Sequence, residues 1–263
     1  GVMVDTEPED EENLSQLTYA FTDANGNYTL SIPTDPWHWE VYFQANSLAM
    51  KGYVLAEDAN GTTAEDFNVW TKEEGNITMG NQPFKKADAL LHGRLTDTNG
   101  TGLGGFRVDY TDCGTLLTDA NGSYAVGILG GQTGWIGGGN DDFQPKGYFE
   151  PSGANFTGVA NQAIRVDLNA TPFTAYLIGR VVDEQNQPVK VMDIEARSGS
   201  RRSVVSTDLD GNFRLGAVAG TWTIGLDSSD ALLQGLMAHQ QSIGTVVAGV
   251  NREVVHTAKR ATR

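Results

Sequence analysis

Hydrophobic and polar residues alternate along this chain in short bursts, and turn-forming residues separate the bursts. Tyr28, Leu30 and Ile32 are spaced by small or polar neighbours, as are Tyr124, Val126 and Ile128, and Phe213, Leu215 and Ala217. Phe106, Val108 and Tyr110 follow the same rule, and so do Met192, Ile194 and Ala196. A period of two marks a strand with one buried and one wetted face. No stretch carries a long apolar stripe of helical period, and only Asp230–Gln241 reads as a short helix. The pattern predicts an all-β chain of short antiparallel strands.

The bursts themselves repeat. Phe21-Thr22-Asp23-Ala24-Asn25-Gly26-Asn27-Tyr28 returns as Leu117-Thr118-Asp119-Ala120-Asn121-Gly122-Ser123-Tyr124, and again as Ser206-Thr207-Asp208-Leu209-Asp210-Gly211-Asn212-Phe213. The three aspartates are 96 and 89 positions apart. Trp39, Trp135 and Trp222 keep nearly the same step, which predicts a buried tryptophan in every unit. Gly93-Arg94-Leu95-Thr96-Asp97 matches Gly179-Arg180-Val181-Val182-Asp183. A period near 90 is too long for a solenoid unit and suits a small domain. The spacing predicts three tandem domains over 1–88, 89–174 and 175–263. In each, Asp-x-Asn-Gly or Asp-x-Asp-Gly supplies a tight hairpin turn: Asp bonds its own backbone and Gly takes positive φ.

The order Gly-Arg-Val-Val-Asp, a turn with Pro188, a strand, then Ser-Thr-Asp-x-Asp-Gly-x-Phe-x-Leu and Gly-Thr-Trp-Thr-Ile resembles the carboxypeptidase regulatory-like domain. The third unit carries the resemblance best, the second nearly as well, and the first from its second strand onward. The resemblance implies an Ig-like, transthyretin-like sandwich of seven strands, related to the Cna B-type repeats of surface adhesins. It further implies a spacer, stalk or accessory role, and no peptidase activity, because the zinc ligands of the catalytic domain are absent here.

Composition narrows the partners. Asp and Glu number 33 against 18 Lys and Arg, a net charge of −15, which argues against nucleic acid or an anionic membrane surface. No apolar run approaches the roughly 20 residues of a membrane span. Cys113 is the single cysteine, so neither a disulfide framework nor a multi-cysteine metal cluster is available. The histidines His38, His92, His239 and His256 are scattered, without a His-Glu-x-x-His pair. There is no Gly-x-Ser-x-Gly elbow and no phosphate loop. The reading is of no catalytic residues and no cofactor.

Two groups of residues are candidate sites. Trp37 and Trp70 have no counterparts in the other units, and tryptophans of this kind can stack on sugar rings; core packing competes for both. Asp23 and Asn25, Asp119 and Asn121, and Asp208 and Asp210 resemble the opening of a calcium loop. They lack its full ligand spacing and its bidentate glutamate, and plain hairpin turns account for them.

The expectation is a non-enzymatic extracellular or cell-surface structural module: a stalk, spacer or filament subunit. The alternatives are a carbohydrate- or protein-binding adhesin using Trp37 and Trp70, or an accessory region of a larger secreted hydrolase. The expected partners are other protein chains, including head-to-tail copies, and surface glycans. Head-to-tail contact is favoured by the acidic run Asp5–Glu12 and the basic tail with Arg252, Lys259, Arg260 and Arg263. Gly1–Asp5 aligns with Gly105–Asp109, already a second strand, so the first unit is expected to lack its first strand. Either polypeptide preceding Gly1 or a neighbouring chain would then supply it.

Overall fold

Each Asp-x-Asn-Gly or Asp-x-Asp-Gly turn closes on its own carboxylate, and the strands grow outward from it. Asp208 Oδ1 accepts from the backbone N–H of Asp210 (2.9 Å) and Asn212 (2.8 Å). Asp119 Oδ1 accepts from Asn121 and Ser123 (both 2.8 Å), and Asp23 Oδ1 from Asn25 (2.8 Å) and Asn27 (2.9 Å). The following Gly26, Gly122 and Gly211 have φ of 86°, 81° and 78°, a region that a side chain rarely adopts.

The computed structural model describes residues 1–8, 18–33, 38–54, 67–70, 78, 84–110 and 114–260. The first sequence repeat contributes β1 (Met3–Pro8), β2 (Thr18–Phe21), β3 (His38–Phe43), α1 (Ala45–Met50), β4 (Tyr53–Val54), β5 (Phe67–Trp70) and β6 (Lys85–Lys86). The second contributes β7 (Ala89–Asp97), β8 (Arg107–Tyr110), β9 (Gly114–Leu117), β10 (Ser123–Ile128), β11 (Thr133–Gly138), α2 (Asn140–Phe143), β12 (Tyr148–Phe149), β13 (Ala154–Thr157), β14 (Ala163–Arg165) and β15 (Leu168–Pro172). The third contributes β16 (Ala175–Asp183), β17 (Asp193–Ser198), β18 (Arg201–Ser206), β19 (Asn212–Ala217), β20 (Gly220–Leu226), α3 (Ser228–Leu233), β21 (Leu236–Met237), β22 (Gln240–Val246) and β23 (Arg252–Arg260). The chain forms two compact units. One is Gly1–Leu95, Gly102–Gly137 and Gly153–Leu168; the other is Thr96–Thr101, Gly138–Ser152 and Asn169–Arg263.

The second unit holds a β-sandwich. One sheet has the order β18-β17-β20-β22 and the other β19-β16-β23-β21. Ile194, Ala196, Trp222, Ile224 and Val246 from the first sheet meet Leu177, Val181, Phe213, Leu215 and Val254 from the second in one buried core. β16 and β23, the first and last strands of the repeat, run parallel, with Gly179 opposite Val254. The pairing is close enough that a Cβ on Gly179 would stand 1.7 Å from the Val254 carbonyl oxygen. Glycine is required there by contact with backbone, not by φ.

In the first unit the orders β2-β1-β3-β5 and β9-β8-β11-β13 match β18-β17-β20-β22 strand for strand. β10 pairs antiparallel with β7, as β19 does with β16, and β14 runs parallel to β7 as β23 does to β16. A Cβ on Gly93 would lie 1.6 Å from the Val166 carbonyl oxygen, the same constraint as at Gly179. The chain is thus all-β with sandwich cores, as the alternation predicts.

Two expectations change. Trp39 and Trp222 are fully buried, but Trp135 is 40% exposed and Ile136 is buried in its place. Matching Ile136-Gly137 to Ile224-Gly225 sets Trp135 against the half-exposed Thr223, one residue out of phase with Trp222. A one-residue offset turns a side chain to the other face. The indole lies instead over Gly137 and Gly153, where an added Cβ would come within 2.1 and 2.0 Å of the ring. The helix expected over Asp230–Gln241 is α3, which starts earlier, capped by Asp227 accepting from Ser229 and Asp230 N–H, and ends before Gly235 at φ 68°. Short helices α1 and α2 occupy the same place in the other repeats, after β3 and β11. They are too short to leave a periodic stripe.

Candidate functional site

The repeats are comparable position by position, so a difference between them is informative. In the third, Thr207 Oγ1 donates to the Val189 carbonyl (2.9 Å) and accepts from Met192 N–H (3.1 Å). In the second, Thr118 Oγ1 donates to Leu103 O (2.7 Å) and accepts from Phe106 N–H (3.0 Å). In the first, Thr22 Oγ1 accepts from Val2 N–H at 2.8 Å. Val2 therefore stands where Phe106 and Met192 stand, and β1 is the counterpart of β8 and β17. β7 and β16 precede β8 and β17 in the second and third repeats.

The opposite layer differs between the repeats as well. β10 and β19 bury Tyr124, Val126 and Ile128, and Phe213, Leu215 and Ala217. Their counterparts Tyr28, Leu30 and Ile32 keep the alternation but are only half-buried, and residues 28–33 belong to no strand. Their side chains pack against Val4, Trp39, Val41, Phe43 and Leu48, with Phe84 alongside. The Tyr28 ring meets Phe43 edge-on at 5.7 Å, and Phe43 meets Phe84 at 5.0 Å. Burial raises the pKa of the Tyr28 phenol. On the far side of this layer β4 pairs with β6 through Tyr53–Lys86 and Val54–Lys85, as β21 pairs with the end of β23 through Leu236–Arg260 and Met237–Lys259. In the order β19-β16-β23-β21 the strand beside β19 is β16, and no equivalent of β16 lies among the described residues of the first repeat.

Among the described residues, the turn of the first repeat lacks the outside donors that grip the other two. Arg180 Nε donates to the Asp210 carbonyl (2.6 Å), and Val181 N–H to that of Gly211 (2.8 Å). Arg94 Nε donates to Asn121 O and Leu95 N–H to Gly122 O, both at 2.8 Å. Among the described residues no such donors reach the carbonyls of Asn25 and Gly26. The six candidate calcium residues sit in these turns. The hydrogen bonds from Asn27 and Asn212 hold the carboxyls of Asp23 and Asp208 below the usual carboxylate range. No group of three or more His, Cys, Asp or Glu among the described residues could hold a metal ion.

Of the sugar-stacking candidates, Trp37 lies outside the described residues. Trp70 ends β5, opposite His38 of β3. Cys113 also lies outside them. The alternation missed another aromatic pair. Tyr19 and Phe21 on the edge strand β2 are 67% and 58% exposed and meet edge-on at 6.2 Å. No periodicity could have found it, because the two aromatics occupy the outward positions that normally carry polar residues.

Two further features lie in the second unit. A groove of about 680 Å³ is lined by Phe173, Tyr176, Asp193, Arg202 and Arg214 among others. Its polar groups are engaged: Arg202 Nε donates to Glu195 (2.6 Å), Arg214 covers the Tyr176 ring at 3.4 Å, and Ser206 Oγ donates to Asp193. His239 and His256 stack at 4.7 Å. His256 is fully buried, with neither ring nitrogen hydrogen-bonded. Burial, with the neighbouring His239, pushes its pKa down to about 4.

No known protein family profile matches the chain, and no curated protein matches it significantly. Among solved structures it is similar to a Streptococcal ancillary pilin, at 15% identity over 100% of this chain and 92% of that one, with a TM-score of 0.34. It is similar to the Bacillus anthracis TIE protein at 11% identity over 98% of this chain, with a TM-score of 0.32, and spans 52% of that protein. It is also similar to the shaft pilin SpaA of Lactobacillus rhamnosus GG, at 10% identity over 66% of this chain and 98% of that one, with a TM-score of 0.29. No helix among the described residues is long and apolar enough to cross a membrane.

Proposed function

We propose that this chain is a non-enzymatic extracellular structural module, a stalk, spacer or filament subunit built of three tandem sandwich domains over 1–88, 89–174 and 175–263. The observation that carries this reading is the recurrence of one sheet order, β2-β1-β3-β5, β9-β8-β11-β13 and β18-β17-β20-β22, with the same self-capped aspartate turn in each repeat. Repeating a whole sandwich adds length and mechanical continuity, whereas a single reaction needs one site. The carboxypeptidase regulatory-like resemblance supports the same role. Its partners on this reading are protein chains, and its surroundings are extracellular, where sandwiches of about 90 residues fold on their hydrophobic cores without disulfides.

Electron microscopy of native material tests the reading. Rods or fibres with a repeating bead are expected. Compact particles that turn over a substrate would overturn it.

A further inference from the structure

The groove in the second unit is lined by residues that the repeated scaffold does not require. Aligned on their turns and strand registers, the third repeat carries Phe173, Tyr176 and Arg214 where the second carries Ala87, Leu90 and Ala125. Their surroundings correspond too. An added Cβ on Gly127 would stand 2.6 Å from the Ala87 Cβ, and one on Gly216 would stand 2.2 Å from the Phe173 ring. Both repeats bury the alternating face behind these positions, Tyr124, Val126 and Ile128 in one and Phe213, Leu215 and Ala217 in the other. Two aromatic rings and a guanidinium therefore stand where small or aliphatic side chains serve the fold equally well.

The contacts within the groove leave hydrogen-bond donors in excess. Arg214 lies 3.4 Å over the Tyr176 ring, and its guanidinium donates no hydrogen bond among the described residues. Arg202 commits only its Nε, to Glu195 at 2.6 Å. The carboxylates are already supplied: Glu195 also receives Arg197 Nη2 at 3.0 Å, and Asp193 receives the Ser206 hydroxyl. A guanidinium stacked flat on a ring keeps its edge N–H groups aimed at a bidentate acceptor. Tyr176 gives its face to Arg214, and Phe173 lies against Gly216 and edge-on to Phe149 at 4.7 Å, which favours a carboxylate over a stacked sugar ring.

The groove also borders a strand edge. β18 ends the order β18-β17-β20-β22. Just beyond it, Thr207 N–H donates inward to Met192 O (2.9 Å), whereas Val204 N–H points outward to Gln144 Oε1 (3.1 Å). Alternate residues of a strand face the same way, so the N–H groups of Arg202 and Ser206 flank that of Val204 on the outer side. One amide carbonyl already sits on this edge, and an extended peptide would bring more.

We propose that this groove binds an extended acidic segment of a partner protein, its main-chain carbonyls accepting from the outward N–H groups of β18 beside Gln144 and an Asp or Glu carboxylate received by Arg214 and the Nη groups of Arg202. The net charge of −15 does not forbid such a ligand. Acids further off than the Debye length, about 8 Å at physiological ionic strength, are screened, and the direct arginine contacts are not. The inference goes beyond the structural reading by naming the chemistry of one protein partner.

The test titrates the whole chain with the capped peptide acetyl-Thr-Glu-Thr-Asp-Thr-amide and its uncharged control acetyl-Thr-Gln-Thr-Asn-Thr-amide, followed by amide NMR. The acidic peptide should bind saturably, about tenfold or more tighter than the control, and shift the Arg202 and Ser206 amides. Arg214→Gln, a change at an exposed side chain, should weaken it by about tenfold or more while the melting of the second unit stays in place. Arg214→Lys should recover only part of the loss, because an ammonium cannot present a planar fork. The proposal is overturned by absent binding, by equal affinity for the two peptides, by full affinity in Arg214→Gln, or by amide shifts confined to other strands. Tighter binding of trigalacturonate than of the acidic peptide would also overturn it, in favour of an acidic sugar. None of these outcomes bears on whether native material forms rods or fibres, so the two readings fail separately.

Discussion

The first and third repeats carry the same turn, the same alternation and the same short helix, yet only the third buries its alternating face completely. Phe213, Leu215 and Ala217 are covered because β16 lies beside them and β23 beside β16. Tyr28, Leu30 and Ile32 keep the alternation but are half-buried, and no strand equivalent to β16 lies beside them among the described residues. A sandwich layer is therefore not specified by its own alternation alone. It needs the neighbouring strand, which in the second and third repeats brings a close-packed glycine and an arginine that donates to the turn.

The largest effect is expected in the completed core. Trp222 is fully buried, stacks on Phe149 at 6.0 Å and donates its indole N–H to Val218 O at 2.9 Å. Trp222→Ala should lower the stability of the second unit by about 3–5 kcal/mol in chemical denaturation. Trp135→Ala, at the position turned outward, should cost about 1 kcal/mol. Equal losses would mean that Trp135 fills a core after all, and the phase difference between the two tryptophans would be wrong.

Acid should separate the units next. His256 is folded in its neutral form, with its pKa lowered to about 4 from an ordinary 6.5. A depressed histidine favours the native state fully above pH 6.5, and that contribution is lost as pH falls towards 4, because the unfolded chain takes up the proton first. The loss should reach roughly 2–3 kcal/mol, felt in the second unit. Asp5 in the first unit points the other way. Its pKa is raised by burial, against the hydrogen bond from Gln44, so protonation favours the native state as pH falls through the raised value towards 3.8. Calorimetric scans at pH 7 and pH 4.5 should show the second unit moving to lower temperature by the larger step. His256→Phe, which fills the site without a titrating group, should remove most of that movement; an unchanged shift would place its origin elsewhere.

Much of this was legible in the residues. Alternation with turn chemistry gives the strands, the Thr-Asp-x-Asn/Asp-Gly repeat gives their threefold recurrence, and alignment of Gly1–Asp5 with Gly105–Asp109 anticipates β1 as a second strand. What the alternation could not supply is phase and partnership. Trp135 is spaced like Trp39 and Trp222, but one residue separates a core position from a surface one, and spacing near 90 residues does not resolve that step. Trp37 and Trp70 stand out in the sequence for being unmatched, whereas the exposed aromatic pair Tyr19 and Phe21, among the described residues, does not. The pairing of β4 with β6 left no trace either, because strands of two residues are too short to leave any pattern.

The smallest effect tests the comparison most directly. Asp23 and Asp208 cap their turns with the same three hydrogen bonds, two from backbone N–H and one from an asparagine side chain at 3.1 Å. Removing either carboxylate frees the same local donors, so a purely local turn would give equal losses in the two repeats. The turns differ only in what reaches them from outside. Arg180 Nε and Val181 N–H hold the Asp210 and Gly211 carbonyls in place, so loosening Asp208 also loosens the β16–β19 pairing. Asp23 has no such ladder behind it among the described residues. Asp208→Ala should therefore lower the melting temperature of the second unit more than Asp23→Ala lowers that of the first, and the difference should vanish in Arg180→Met, which removes the external grip while keeping an apolar stem. Equal shifts throughout would reduce both turns to local hairpins.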